Sequence, residues 1–151
     1  SNTEGFPGVV LRLFLVYGPG QDGKRFLPQI ITAFLRNESV ETTEGRQVRD
    51  FCYIDDVVDG IIKAAVTDEA KGLIMNIASG IPMSLKDMIN KAAFLIGKGR
   101  AVFGARPYRY GENMELFADI SSARKALQWS PSVSVDEGLR KTIEYYKNQQ
   151  L

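Results

Sequence analysis

Residues 9–17 read VVLRLFLVY, a nearly continuous apolar run interrupted by a single arginine, Arg12. A run this short and this apolar, rich in valine and leucine, is typical of a β-strand covered on both faces, as in a parallel sheet. The sequence GPGQDG at 18–23 ends the strand. Apolar residues then recur at three- and four-residue spacing, which predicts an amphipathic helix over about 25–37. This order of strand, turn and helix indicates an α/β protein.

The rest of the chain continues the alternation of strands and helices. Asp55 or Asp56 is expected to cap the second helix, Ser84 and Asp87 form a capping box for the third, and Gly97 ends it. The other predicted segments are strands at 48–54, 73–78 and 101–105, an irregular stretch at 106–118, and helices at 121–128 and 136–148. A doubly wound sheet usually has about five or six parallel strands. The segments therefore resemble the last part of a larger α/β protein.

Composition narrows the chemistry. The 151 residues include no histidine and one cysteine, which excludes imidazole bases, histidine-ligated metals and an internal disulfide. The formal net charge of +1 argues against non-specific binding to nucleic acid or to a membrane surface.

Cys52 is interpreted as an inert core thiol and Trp129 as a residue that fills the core. With no signal peptide evident and no apolar run near the ~20 residues of a membrane span, we expect a cytoplasmic protein.

The glycines after the first strand match a dinucleotide-binding pattern in spacing only. Gly18, Gly20 and Gly23 satisfy G-x-G-x-x-G between a strand and a helix. Pro19, however, lacks an N–H group for a pyrophosphate, and Asp22 adds negative charge where phosphate charge must lie. We interpret the stretch as an ordinary loop at the end of a strand.

Arginines at two places are the candidate ligand contacts. Arg49, followed by Asp50, is either half of an Arg–Asp pair on an edge strand or a phosphate clamp, because guanidinium binds phosphate in a bidentate manner. Arg106 and Arg109 lie in a predicted loop with Glu112, which is either solvated with a local ion pair or holds a phosphate and a ribose diol. Two separated arginine sites in a neutral protein are consistent with a compact diphosphate rather than nucleic acid.

No catalytic group emerges from the spacing of polar residues. None of the six tyrosines is followed four residues later by lysine. Asp55 and Asp56 are adjacent and do not share a helix face, so we interpret them as a cap and a solvated neighbour.

Five segments together resemble a known family. In order and spacing they are similar to the C-terminal half of the NAD(P)-dependent nucleotide-sugar epimerase/dehydratase family, the extended short-chain dehydrogenase/reductases. The resemblance covers about residues 9–147. The segments are RLFLVYGPGQ (12–21), GRQVRDFCYIDDVVDGI (45–61), MNIASG (75–80), RYGE (109–112) and ADISSARKALQWSPSVSVDEGLRKTIEYY (118–146).

The resemblance implies an α/β fold made of the last Rossmann-sheet strands and a small mixed α/β substrate-binding domain. In the family, the cofactor turn and the catalytic Tyr-x-x-x-Lys lie in the N-terminal half, which would be missing here. We expect residues 1–8 to be a lead-in or an expression remnant, and 9–151 to be the substrate-binding region. The resemblance implies NAD or NADP in the full-length parent and no cofactor bound to this chain alone.

Position in the family motifs also implies which residues contact ligand. Arg49 matches an arginine that contacts the diphosphate or ribose, and Arg109 and Glu112 match an element that holds phosphate and ribose. The other implied contacts are Arg25 and Phe26 along the nucleotide, Val40 and Thr42 against the base, and Phe14, Leu15 and Val16 bordering nicotinamide and substrate. At position 15 the family usually has asparagine, whose amide binds the diphosphate; leucine cannot. The stretch Glu41-Thr42-Thr43 also departs from the usual hydrophobic-aromatic-Gly pattern.

Three hypotheses about function follow. In the first, the full-length protein interconverts a nucleotide-linked sugar by transient oxidation at C4, and this chain alone is inactive. In the second, the chain is a standalone nucleotide-sugar-binding or regulatory module without catalysis. In the third, it is an unrelated α/β domain. The expected partners are a nucleoside diphosphate sugar, the missing Rossmann half and a second copy through an exposed sheet edge; no nucleic acid and no membrane are expected.

Overall fold

The computed structural model describes residues 7–149, so most of the expected lead-in lies outside the described residues. Strands and helices alternate within this range, which confirms the α/β prediction. The strands are β1 (Val10–Leu13), β2 (Leu15–Tyr17), β3 (Ser39–Glu41), β4 (Val48–Tyr53), β5 (Ile74–Ile77), β6 (Pro82–Ser84), β7 (Arg100–Val102) and β8 (Glu115–Leu116). The helices are α1 (Phe26–Leu35), α2 (Ile54–Val66), α3 (Leu85–Ile96), α4 (Ser121–Leu127) and α5 (Val135–Asn148). None of the described helices is long and apolar enough to cross a membrane.

The strand β4 organises the fold. Its second half pairs in parallel with β2, and its first half pairs antiparallel with β6 and in parallel with β8. Two smaller parallel pairs complete the described strands, β1 with β5 and β3 with β7. The strands β3, β6 and β8 fall where the sequence predicted no strand, because strands of two or three residues carry almost no periodic signal.

Side chains of β4 point alternately into two hydrophobic cores. Phe51 and Tyr53 enter a core built with α1, α3 and α5, whereas Cys52 enters a core built with α2, α4 and β5. This division follows from the two-residue period of a strand. Cys52 and Trp129 are both fully buried in the second core, as predicted.

The first apolar run is two strands rather than one. The strand β1 pairs with β5, β2 pairs with β4, and Phe14 lies between them. The expected burial on both faces is also wrong for this run, since Val10, Leu13 and Leu15 are more than a third exposed. Among the described residues β1 has a neighbour on one edge only, so its second edge is open.

Helix ends follow the predicted chemistry in α3 but not in α2. The Ser84 hydroxyl accepts a 3.0 Å hydrogen bond from the Asp87 N–H, and Gly97 ends the helix at φ +75°, where a side chain would be strained. The cap residue of α2 is Tyr53, and no side chain caps the helix, so the prediction for Asp55 or Asp56 is wrong. Asp56 is instead buried and holds a distant loop.

One face of α2 is apolar but exposed. Its inward face, which includes Val57 and Ala64, packs in the second core. The exposed apolar side chains on its outside recur at helical spacing, and we call them the α2 outer face: Val58, Ile61, Ile62 and Val66. A surface helix normally carries polar residues on its outer side, so this face is unusual.

Candidate functional site

A cleft of about 860 Å³ opens where β1 and β2 diverge. The ends of these strands form one wall, the loop before α1 and the start of that helix form a second, and the first half of β4 forms the third. Six of the ten residues implied by the family resemblance line this cleft: Phe14, Leu15, Val16, Arg25, Phe26 and Arg49. Residues that are distant in the chain, such as Leu15 and Arg49, thus come together because β2 and β4 are neighbours.

Arg49 reaches the cleft with its guanidinium group held on two sides. One terminal nitrogen donates a 2.7 Å hydrogen bond to Oε1 of Glu112, and the other donates a 2.9 Å bond to the Val48 carbonyl. The Arg49 and Glu112 side chains are only 12% and 22% exposed. The alternative of an Arg49–Asp50 pair is therefore wrong. The partner comes from the second arginine site, 63 residues further along the chain.

Asp50, also in the cleft wall, is a structural centre, whereas the sequence indicated it only as a possible partner of Arg49. It is fully buried, and its carboxylate accepts hydrogen bonds from the Ser79 N–H and hydroxyl at 2.7 and 2.6 Å. It also accepts from the N–H groups of Gly80 at 2.9 Å and Ala118 at 3.3 Å. The signal in the sequence was a carboxylate inside an apolar strand. A charge buried in that way needs several hydrogen-bond donors around it. Asp50 therefore fixes two loops against β4.

The remaining predicted contacts lie outside the cleft wall. Arg109 is exposed in a tight turn closed by a 3.1 Å bond from the Glu112 N–H to the Arg109 carbonyl. Arg106 forms an exposed ion pair with Glu41, with 3.5 Å between Nε and Oε2. Val40 and Thr42 lie in and after β3, the strand paired with β7, and Val40 packs against the first core. The structure thus brings Glu112 to Arg49, whereas Arg109, Val40 and Thr42 do not line the cleft.

The glycine-rich loop has the features of an ordinary connection. The side chain of Gln21 donates a 2.8 Å hydrogen bond back to the Val16 carbonyl. The Asp22 carboxylate accepts a 2.9 Å bond from the Lys24 N–H, and Asp22 itself lines the cleft. A carboxylate at this position repels phosphate, which disfavours the loop as a pyrophosphate cradle.

The buried Cys52 thiol and Tyr17 hydroxyl are not available as bases at neutral pH. Burial raises the pKa of the Cys52 thiol to about 12, with further contributions from the negative charges of Asp56 and Asp50. Burial also raises the pKa of Tyr17 above its ordinary value, helped by Cys52 and Tyr53. Both groups stay protonated at neutral pH. Within residues 7–149 there is also no cluster of three His, Cys, Asp or Glu residues that could hold a metal ion.

Comparison with known proteins identifies the family to which this chain belongs. Residues 1–78 match the NAD dependent epimerase/dehydratase family. The chain belongs to this family. A UDP-glucuronate 4-epimerase of Thermodesulfobacterium geofontis is 33% identical over 140 residues, which cover 91% of this chain and 42% of that enzyme. A UDP-glucose 4-epimerase of Mycolicibacterium smegmatis is 30% identical, over 89% of this chain and 44% of that protein.

Solved structures of epimerases share the fold of this family member. An epimerase of Methanothermobacter thermautotrophicus superposes with a TM-score of 0.91 at 27% identity, over 99% of this chain and 46% of that one. The UDP-glucuronic acid 4-epimerase of Bacillus cereus, in complex with UDP-glucuronic acid and NAD, gives a TM-score of 0.84 at 35% identity, over 95% and 46%. The chain spans about half the length of the curated relatives it matches.

Proposed function

We propose that this chain is the nucleotide-sugar-binding portion of an NAD(P)-dependent sugar epimerase, dehydratase or reductase. The whole protein acts by transient oxidation of the sugar at C4, and the 151-residue chain does not catalyse the reaction by itself. Two further proposals belong to this one: the ligand is a nucleoside diphosphate sugar, and the protein works in the cytoplasm.

The observation that carries the proposal is the position of Arg49 in the cleft. An arginine side chain that is 12% exposed, lies on a central strand and lines a cavity of about 860 Å³ is a rigid donor for a diphosphate. Arg25 adds a second positive charge and Phe26 an aromatic ring at the start of α1, on the opposite wall. The volume lies within the usual range of about 300–1,000 Å³ for small-molecule sites.

Each wall of the cleft has a distinct role in this proposal. Arg49 binds the diphosphate and so fixes the sugar relative to the strands. Phe14, Leu15 and Val16 form an apolar wall that excludes water from the reacting end of the ligand. Because Leu15 has no amide, the diphosphate depends more heavily on arginine than in relatives with asparagine at this position.

The cofactor of the whole protein meets this chain along one wall only. An apolar strand such as Phe14–Val16 suits one side of a flat nicotinamide ring, whereas Asp22 in the glycine loop does not suit its pyrophosphate. NAD in the solved relatives supports NAD as the cofactor, which accepts and returns a hydride when bound. We place the base that removes the hydroxyl proton outside this chain, because none of its tyrosines is followed four residues later by lysine. Burial also raises the pKa of the Tyr17 hydroxyl and of the Cys52 thiol, so neither is ionised at neutral pH.

The open edge of β1 and the α2 outer face support a covering partner. Val10 is 53% exposed, Ile62 is 57% exposed and Val66 is 76% exposed. An exposed apolar surface of this kind usually marks an interaction site. We propose that the cofactor-binding half of the enzyme packs there. This exposure also favours the enzyme hypothesis over a standalone module, whose corresponding surfaces would be polar or paired with a second copy.

Binding measurements test the proposed ligand. We expect UDP-, CDP-, dTDP- or GDP-sugars to bind the chain, and the Arg49→Ala/Arg109→Ala variant to lose the binding. Loss of one charge-assisted contact costs about 1.5–3 kcal/mol, so Arg49→Ala alone weakens binding by roughly 10- to 150-fold. Arg140→Ala, an exposed arginine on α5, is the matched control. Unchanged calorimetric affinity in the double variant contradicts the proposal.

Activity measurements test whether this chain needs the cofactor-binding half of the enzyme for catalysis. The purified 151-residue chain, supplied with NAD and a nucleotide sugar, should show no turnover and no change in cofactor absorbance. Turnover by this chain alone contradicts the proposed need for a second half. Size-exclusion chromatography separates the alternatives further, because a well-behaved monomer at micromolar concentration favours a standalone module.

A further inference from the structure

Glu112 contacts a residue of the cleft wall without itself belonging to that wall. Arg49 lines the cleft, whereas Glu112 does not, and the two side chains form an ion pair. The family resemblance implies direct contact between this acid and a ribose. The observed contact is instead the 2.7 Å hydrogen bond from Arg49 to Glu112.

The guanidinium keeps free donors while it is held. An arginine side chain has five N–H donors, of which the bonds to Glu112 and to the Val48 carbonyl use two. Residues 7–149 offer no further hydrogen bond to the other donors, which we take to serve an anion in the cleft. Two bonds on different sides fix the plane of the group, which is what bidentate recognition of phosphate requires.

Both partners of the pair are anchored to the same strand. Glu112 follows a turn at Gly111, and two residues later the Met114 carbonyl accepts a 2.7 Å hydrogen bond from the Val48 N–H. The short strand β8 then pairs with β4, with Leu116 opposite Arg49. The separation of the two side chains is therefore set by backbone pairing on either side of them.

We propose that Glu112 is a positioning residue that holds Arg49 in the orientation that binds a diphosphate. The inference rests on the proposed function, in which a nucleoside diphosphate occupies the cleft. An unanchored arginine must give up the freedom of its rotatable bonds when it binds, and an anchored one has already lost that freedom. The hydrogen bond matters here more than the charge, because a carboxylate by itself repels phosphate.

Two substitutions separate these contributions. Glu112→Gln keeps an oxygen that accepts from Arg49 and removes the charge, whereas Glu112→Ala removes both. Asp59→Ala is the control, since Asp59 forms an exposed ion pair with Lys63 on α2, away from the cleft lining. The probes are UDP and uridine, titrated by NMR so that millimolar affinities are measurable, and the quantity compared is the preference for UDP over uridine.

We expect Glu112→Ala to lower the preference for UDP about tenfold and to leave uridine binding nearly unchanged, as for loss of one hydrogen bond to a charged group. Glu112→Gln keeps most of the preference. In an Arg49→Ala background, Glu112→Ala should have no further effect, because the acid acts through that arginine. The NMR signal of the Arg49 Nε–H group reports the same role without ligand. Its chemical shift should differ from that of a freely rotating arginine in the original protein and in Glu112→Gln, and should approach that value in Glu112→Ala.

Several results overturn the inference. An unchanged preference in Glu112→Ala removes the positioning role, and equal losses for UDP and uridine assign the carboxylate to the nucleoside instead. A rise in UDP affinity in Glu112→Gln makes the acid a competitor of the ligand. If the unsubstituted chain does not prefer UDP, CDP, dTDP or GDP over the matching nucleoside, the proposed function fails first, and the inference with it.

Discussion

Two buried aspartates, Asp50 and Asp56, hold distant loops against the centre of the fold. Asp56 lies in the first turn of α2, and its carboxylate accepts bonds from the Ser132 N–H at 2.8 Å, the Ser132 hydroxyl at 2.9 Å and the Val133 N–H at 3.1 Å. The interpretation of this residue as a cap or a solvated neighbour is therefore wrong. A buried carboxylate with several N–H donors is favourable because each donor replaces a lost water.

Replacement of Asp56 tests this role. We expect Asp56→Asn to lower the free energy of unfolding by about 2 kcal/mol, because the amide offers one acceptor oxygen and brings an N–H₂ group toward N–H donors. Asp59→Asn on the same helix, half exposed, should change it by less than about 0.5 kcal/mol. Urea unfolding followed by circular dichroism gives both values, and equal effects in the two variants contradict the assignment.

The single thiol, Cys52, should lower the free energy of unfolding as the pH rises into the alkaline range. Burial raises the pKa of Cys52 from 9.0 to about 12, so above pH 9 the unfolded thiol ionises and the folded thiol does not. The stabilisation is complete below pH 9 and is lost as the pH rises toward 12. Between pH 8 and 9.5 this group should lower the free energy of unfolding by about 1 kcal/mol. Cys52→Ala should reduce that slope in urea titrations, and an unchanged slope contradicts the explanation.

At the scale of elements, α2 has two apolar faces with different roles. Val57 is fully buried on the inner face, whereas Ile62 is 57% exposed on the α2 outer face. In the sequence both residues belong to one run of apolar positions at helical spacing, Val57, Val58, Ile61, Ile62 and Ala65. Periodicity alone identifies apolar positions, but which of them meet a core depends on which elements pack against the helix.

The substitution Ile62→Glu tests whether the α2 outer face is an exposed interaction surface. Ile62→Glu should leave the unfolding free energy of the chain within about 0.5 kcal/mol, since the side chain is exposed. It should also abolish any self-association that buries this face, measured by sedimentation equilibrium. Val57→Ala is the contrast, with an expected loss of about 1–3 kcal/mol from the core. Equal destabilisation by Ile62→Glu and Val57→Ala would contradict the assignment of Ile62 to an exposed face.

At the scale of the whole molecule, β4 connects packing to the candidate site. Its second half divides the two cores, and its first half carries Arg49 and Asp50 to the cleft wall. The cleft forms because the first apolar run leaves one sheet and joins another at Phe14. Substitutions that loosen β4 should therefore affect stability and ligand binding together.

Local periodicity and motifs that are contiguous in the chain were enough to predict the α/β class, the family, the helices and the capping box at Ser84. They also identified Arg49 and Glu112 as two separate candidate contacts. Three features became visible only in the folded chain: Arg49 pairs with Glu112, Asp50 and Asp56 anchor loops, and residues 9–17 divide into two strands. Contacts over 29 to 76 residues depend on how strands pair and helices pack, and no local pattern encodes that choice.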